Sequence, residues 1–243
     1  MQLLKSQTRK ILIEGHRGAE GLALENSWEA LEAGYAAKAD LLEIDIQRLL
    51  DGTLILYNSY QIPDGRWLRN LRFPEIPLFS ENNRQLAVLD EVLDWIKDKP
   101  VGLSLDIKNG FGFDFQIFLD TLSRVEKHGL INKVVFLGWD HGALLRLKAK
   151  NPTVKTRGII RGYPVDIVGV AKKAQLDALN LDSDMVTEEE IDDLHKQEIA
   201  VAIAEIINPN YERAANLGAD IICCKDPRLA NTTLSSAGLL LEI

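Results

Sequence analysis

The run Gly15-His16-Arg17-Gly18 brings three kinds of chemistry together. Imidazole is the usual acid–base group near neutral pH. A guanidinium offers a two-pronged fork for phosphate, and flanking glycines let a ligand approach the backbone. The bland alternative is a histidine that caps a strand-to-helix turn. Glu43 and Asp45 lie two residues apart in an apolar stretch, and Asp106 and Lys108 repeat that spacing. Residues two apart on a strand share a face. Carboxylates turned inward among apolar neighbours are costly unless they are paired or hold a cation. Three converging carboxylates suit a hard cation such as Mg²⁺ or Ca²⁺. Simple ion pairs with Arg17 and Lys108, or solvent-facing strand ends, are the competing explanation. His128, His141 and His195 fall at helix ends or in polar helix turns and read as structural. The adjacent Cys223 and Cys224 sit in an apolar run and read as free thiols on a buried strand.

These residues act together only if the chain brings strand ends to one rim. Short β-branched runs alternate with amphipathic helical segments. Strands are expected at Lys10–Glu14, Leu41–Ile46, Val101–Ile107, Val134–Leu137, Val154–Ile160, Ala178–Leu181, Ile199–Ala204 and Asp220–Cys224. Helices are expected at Glu25–Lys38, Val88–Lys97, Phe113–Lys127, Gly142–Lys150, Val165–Ala174, Thr187–Gln197 and Pro209–Leu217. Asn26 or Ser27 caps the first helix, and Thr187 with Glu190 forms a capping box. Repeated strand–helix units in one chain predict an α/β protein, a single parallel (β/α)8 TIM barrel spanning residues 1–243. An open doubly wound sheet lacks its glycine-rich dinucleotide fingerprint here. Catalytic groups of such barrels gather at the C-terminal strand ends, where His16, Glu43, Asp45, Asp106 and Lys108 fall. Asp51-Gly52 reads as a tight two-residue hairpin turn after strand two, which sets Asp45 opposite Asn58. The stretch Ile62–Gln85 reads as a long loop over one end of the barrel, a common form of functional lid.

The balance of charges narrows the partners. Lys+Arg total 28 and Asp+Glu 36, a net charge of −8 over 243 residues. That argues against a general nucleic-acid binder. It does not exclude a phosphate ligand, because a bound cation inverts the local field. No stretch approaches the roughly 18 apolar residues of a membrane span. Met1–Lys10 has no signal-peptide core, so a cytoplasmic protein is expected. Nothing in the sequence sets an oligomeric state.

Glu14-Gly15-His16-Arg17-Gly18, Glu25-Asn26, Ala39 through Asp45 and Asp51-Gly52 together resemble the glycerophosphodiester phosphodiesterase family. Leu105-Asp106-Ile107-Lys108, Trp139-Asp140 and Gly218 through Ile222 extend the likeness over most of the chain. The resemblance implies a parallel barrel with a short insertion after strand two. It implies hydrolysis of a small-molecule glycerophosphodiester with help from a divalent cation, Mg²⁺ or Ca²⁺. Glu43, Asp45 and Asp106 would bind the metal, Asp106 standing where the family usually has Glu. Arg17 and Lys108 would hold phosphate oxygens, and His16 would be one of two catalytic histidines. At the second position this chain has Asn58, followed by Ser59, where the family has His-Asp. Ala204-Glu205-Ile206 replaces a tryptophan-containing segment, and Cys224-Lys225 replaces a threonine–aspartate pair. Asparagine transfers no proton near neutral pH, and such assistance is typically worth about 10²–10⁴-fold. The expectation is therefore a phosphodiester hydrolase with altered acid–base chemistry at Asn58. Phosphoryl transfer or lyase chemistry on the same scaffold, and a non-catalytic phosphodiester- or phosphosugar-binding barrel, stay open.

Overall fold

The structure, a computed structural model, describes Leu4 and residues 11–76, 86–110 and 114–240. Eight strands form the ring: β1 (Leu12–Gly15), β2 (Leu41–Arg48), β4 (Gly102–Ile107), β5 (Val134–Gly138), β6 (Lys155–Ile159), β7 (Ala178–Leu181), β8 (Ala200–Glu205) and β9 (Ile221–Cys224). Neighbouring ring strands pair in parallel, and β1 pairs with both β9 and β2, which closes the barrel. The helices are α1 (Trp28–Ala36), α2 (Leu89–Ile96), α3 (Gln116–Lys127), α4 (His141–Lys150), α5 (Ile167–Lys173), α6 (Glu188–Lys196), α7 (Tyr211–Asn216) and α8 (Pro227–Ser236). The expected (β/α)8 barrel is the observed fold. Lys10 and Phe113, placed at element ends from the sequence, lie outside the described residues.

Strand alternation sorts the barrel into two apolar zones. Leu42, Ile44 and Ile46 of β2 point outward and share the main core with Leu31 of α1 and with Leu89, Val92, Leu93 and Ile96 of α2. Inward residues Leu12, Leu41, Val135, Ala178, Ala200 and Ile221, with Leu4, form a separate cluster at the N-terminal end of the barrel. The inward positions nearer the mouth are polar. Helix starts follow the local chemistry. Ser27 caps α1 by accepting from Ala30 N at 3.2 Å, and the Thr187–Glu190 capping box opens α6 as expected. Helix α8 was not expected from the sequence; Asp226 caps it and Pro227 occupies its first turn.

The hairpin departs from the expected register. β3 (Leu54–Leu56) pairs antiparallel with β2, outside the ring, with Ile46 opposite Leu56 and Arg48 opposite Leu54. Leu49 N donates to Thr53 O, so Leu50-Asp51-Gly52 is a three-residue loop rather than a two-residue turn. Gly52 ends that loop with a left-handed backbone, φ +82°, the geometry three-residue hairpins use. Tyr57, not Asn58, therefore lies beside Asp45, and Tyr57 N donates to Asp45 O at 3.0 Å. A one-residue shift exchanges the faces of a strand. β2 accepts this extra strand because β1 ends at Gly15 and leaves the far edge of β2 open. The following excursion has its own small core of Leu49, Ile55, Ile62, Leu68, Leu71 and Ile76. It is packed over residues 57–76, and residues 77–85 lie outside the described residues.

Candidate active site at the barrel mouth

The turn after β1 holds His16 and Arg17 through backbone strain and close packing. Arg17 has φ 51° and Asn26 φ 55°, both left-handed, at about 1–3 kcal/mol each for non-glycine residues. A Cβ on Gly15 would lie 1.9 Å from the Gly18 carbonyl oxygen, so only glycine fits. Gly18 N donates to Glu43 O at 2.8 Å, and His16 N donates to Cys224 O at 2.8 Å. The turn is thereby pinned between β2 and β9. Glu20, one helical turn on, meets His16 Nδ1 at 2.9 Å. That contact directs His16 Nε2 toward Glu43 Oε2, 3.9 Å away.

Glu43, Asp45 and Asp106 converge: one oxygen of each lies within 4.8 Å of the others, and all three residues are buried. Asp45 is the best held. Asn26 Nδ2 donates to its Oδ2 at 2.7 Å, and Asp45 N donates back to Asn26 Oδ1 at 3.0 Å. Lys108 Nζ lies 2.7 Å from Asp45 Oδ1 and also bonds Asp106. Arg17 Nε lies 3.2 Å from Asp45 Oδ2, and its Nη1 pairs with Glu25. Arg17 N donates to Glu43 Oε2 at 2.8 Å. Asp106 Oδ1 is buried with no hydrogen-bond partner among the described residues.

Electrostatics report the crowding. Burial, then the neighbouring Asp45, push the Glu43 carboxyl up to about 8. Burial likewise raises Asp106 despite Lys108. Burial opposes the Lys108 ammonium, but Asp106, Asp45 and Glu43 hold it well above its ordinary range. Burial also opposes the His16 imidazolium; the Glu20 hydrogen bond and the Glu43 charge outweigh it and raise His16. Five carboxylates, Glu20, Glu25, Glu43, Asp45 and Asp106, thus share Arg17, Lys108, His16 and Lys225, and one must keep its proton unless a further positive charge arrives. An unpartnered oxygen, a surplus of negative charge and an all-oxygen donor set fit a hard divalent cation.

Two clefts flank this cluster. One, about 360 Å³, has His16 and Arg17 at one end and Arg161, Asp182, Glu205 and Ile207 at the other. The second, about 120 Å³, is bordered by Lys108, Gln47, Tyr60, Trp67 and Arg69. Glu205 stays apart from the triad; its Oε2 accepts from Asn210 N at 2.6 Å and closes the loop after β8. Of the residues singled out from the sequence, His16, Arg17, Glu43, Asp45, Asp106 and Lys108 come together. Asn58 is half-buried beyond β3, one register step from its expected place. Glu20 and Glu25 had no site role in the sequence and Asn26 read only as a helix cap, a place Ser27 takes; the three orient His16, Arg17 and Asp45. The signal was present: a carboxylate four residues after His16 and a Glu-Asn pair ahead of α1.

The chain is 39% identical over 117 residues to the mouse protein named Lysophospholipase D GDPD3, 41% of this chain and 36% of that protein. It thus spans about a third of that relative and about half of the human one, of which 51% is covered. Among solved structures, a glycerophosphodiester phosphodiesterase from Parabacteroides distasonis superposes with TM-score 0.84 at 18% identity, over 94% of this chain and 98% of that one. An Oleispira antarctica phosphodiesterase, solved with its product sn-glycerol-3-phosphate, gives 0.81 at 18% identity over 94% and 98%. The sequence description of the Glycerophosphoryl diester phosphodiesterase family matches residues 16–227. That span runs from the strained His16 turn to the proline that opens α8, and the chain belongs to the glycerophosphoryl diester phosphodiesterase family.

Proposed function

We propose that the chain is a divalent-cation-dependent phosphodiesterase acting on a small glycerophosphodiester-like substrate. The observation that carries this reading is the unpartnered Asp106 Oδ1 within the buried Glu43–Asp45–Asp106 cluster, beside His16. Glu43, Asp45 and Asp106 would hold the cation, Mg²⁺ or Ca²⁺. When bound, it supplies polarisation of a phosphoryl oxygen. Arg17 and Lys108 reach the cluster from opposite sides and would hold the remaining phosphate oxygens. The two flanking clefts offer room for the two alcohol arms of a diester. The glycerol phosphate held by the Oleispira relative is of the same ligand class.

His16 is the proton carrier. Glu20 fixes Nδ1, which leaves Nε2 for the substrate. Although burial opposes it, the Glu20 hydrogen bond and the Glu43 charge raise the His16 pKa and so favour the imidazolium, the form suited to protonating a leaving oxygen. Asn58 carries an amide with no proton to transfer near neutral pH, so half of the usual acid–base work goes unassisted. Esters with good leaving groups are therefore favoured, and activity falls as pH rises past the His16 pKa. The adjacent buried free thiols agree with a reducing compartment such as the cytoplasm.

The test is hydrolysis of glycerophosphodiesters and an activated aryl diester with Mg²⁺, Ca²⁺ or EDTA. Cation-dependent turnover that falls about 10²–10⁴-fold in His16→Ala is expected. Absence of turnover on every diester, with ligand-dependent melting retained, would favour a binding barrel.

A further inference from the structure

The large apolar side chains left in solvent are not spread evenly. Trp139 is 53% exposed, Tyr163 75% and Ile207 79%, and Val165 is fully exposed. Trp139 follows β5, Tyr163 and Val165 follow β6, and Ile207 follows β8. All four therefore stand at the mouth. Leu24, Leu50 and Leu229, also exposed, lie in the segments after β1, β2 and β9 at the same end. Tyr35, near the C-terminus of α1, is the one exposed large apolar residue among the described residues that lies toward the other end, and its ring packs on Trp95.

The first four residues form an arc tied to one cleft. Arg161 lies 6.0 Å over the Trp139 ring and pairs with Asp182 at 3.0 Å. Tyr163 donates its hydroxyl proton to Asp184 O at 2.8 Å. Arg161, Asp182, Asp184 and Ile207 all line the 360 Å³ cleft that has His16 and Arg17 at its other end. Exposed apolar patches of this kind mark contact surfaces. Trp and Tyr with a basic neighbour are the residues that settle at a membrane–water boundary, apolar body in and polar tip out.

We propose that the Trp139–Tyr163–Val165–Ile207 arc docks the barrel mouth on the surface of a lipid aggregate. A phosphodiester headgroup then enters the cleft at His16 while its hydrocarbon stays outside. The choice of a lipid surface rests on position. A folded protein seated on this arc would cover the cleft that the substrate must enter. A lipid surface delivers the substrate through that same face. The inference leans on the phosphodiesterase reading for the headgroup alone; docking is measurable without turnover.

Cosedimentation with phosphatidylcholine vesicles doped with lysophosphatidylcholine tests it. The wild-type chain is expected in the pellet. The double variant Trp139→Ser/Ile207→Ser, both exposed positions, is expected to partition at least about tenfold less, given the transfer free energy of two such side chains. Tyr35→Ser, at the opposite end, is expected to sediment like wild type, and melting curves verify that each variant is folded. The proposal fails if the wild type stays in the supernatant, or if Tyr35→Ser loses as much binding as the double variant. It fails also if the arc instead holds two copies together, seen as self-association that the double variant abolishes. Vesicle binding without hydrolysis of any diester would support the docking arc and count against the phosphodiesterase reading.

Discussion

The barrel interior contains two polar groups that treat charge in opposite ways. Midway along the barrel, Arg157 Nη2 donates to Glu14 Oε1 at 2.7 Å, Ser104 bonds the same carboxylate, and all three side chains are fully buried. One cation meets one anion, and nothing reaches solvent. At the mouth, Glu43, Asp45 and Asp106 outnumber Lys108 and Arg17; the difference is one of charge, since both groups hold unpartnered buried atoms among the described residues, Asp106 Oδ1 here and Arg157 Nε and Nη1 there. A pair that serves the fold balances its charge on its own. The mouth cluster keeps an imbalance, which is what a site for an incoming cation and phosphate requires.

The largest effect expected from this contrast is at Arg157. Arg157→Met leaves Glu14 buried and unpaired and should cost about 3–5 kcal/mol in denaturant unfolding. The double variant Glu14→Leu/Arg157→Met should recover most of that loss, because it removes both charges together. Equal losses in single and double variants would mean that shape, and not charge balance, governs this layer. At the mouth the sign reverses. Glu43→Gln relieves repulsion, so the cation-free protein should be more stable at pH 8 than wild type. The same change should remove stabilisation by Mg²⁺ or Ca²⁺, worth about 2.7 kcal/mol at a hundredfold excess over Kd. A Glu43→Gln protein that melts lower than wild type without cation would contradict the repulsion argument.

A smaller effect follows with pH. Glu43 is raised from 4.5 to about 8. A carboxyl raised on folding contributes stability that is complete below its ordinary pKa and is lost as pH rises through the folded value. Cation-free melting temperature should therefore decline between about pH 4.5 and 8. Stabilisation by added cation should grow over the same window, because binding displaces the proton. Glu43→Gln should flatten both slopes. The smallest expected effect is at Asn58. Asn58→His should raise turnover of substrates with poor leaving groups more than that of an aryl diester, measured as the ratio of kcat/KM.

How legible each part was depends on the range of the forces involved. Strand ends and the mouth carboxylates were readable because alternation and a spacing of two residues are local rules, and Glu43, Asp45, Asp106 and Lys108 all obey them. The α6 capping box was readable for the same reason. The hairpin register was not, since Asp51-Gly52 is compatible with two- and three-residue loops, and the left-handed Gly52 with the Leu49–Thr53 bond decides between them. Glu14 and Arg157 are 143 residues apart, and barrel closure alone brings them together. Helix α8 was overlooked although Asp226-Pro227 is a serviceable helix start; the polar run after Pro227 hides a buried face of Ala230 and Leu234.

The central claim is that the mouth cluster is one positive charge short. Calorimetric titration of Mg²⁺ into the chain at pH 7, repeated in buffers of different ionisation enthalpy, measures it directly. The account predicts a single cation bound with release of close to one proton, and loss of both in Asp106→Asn. Binding without proton release, or binding unchanged in Asp106→Asn, would contradict it.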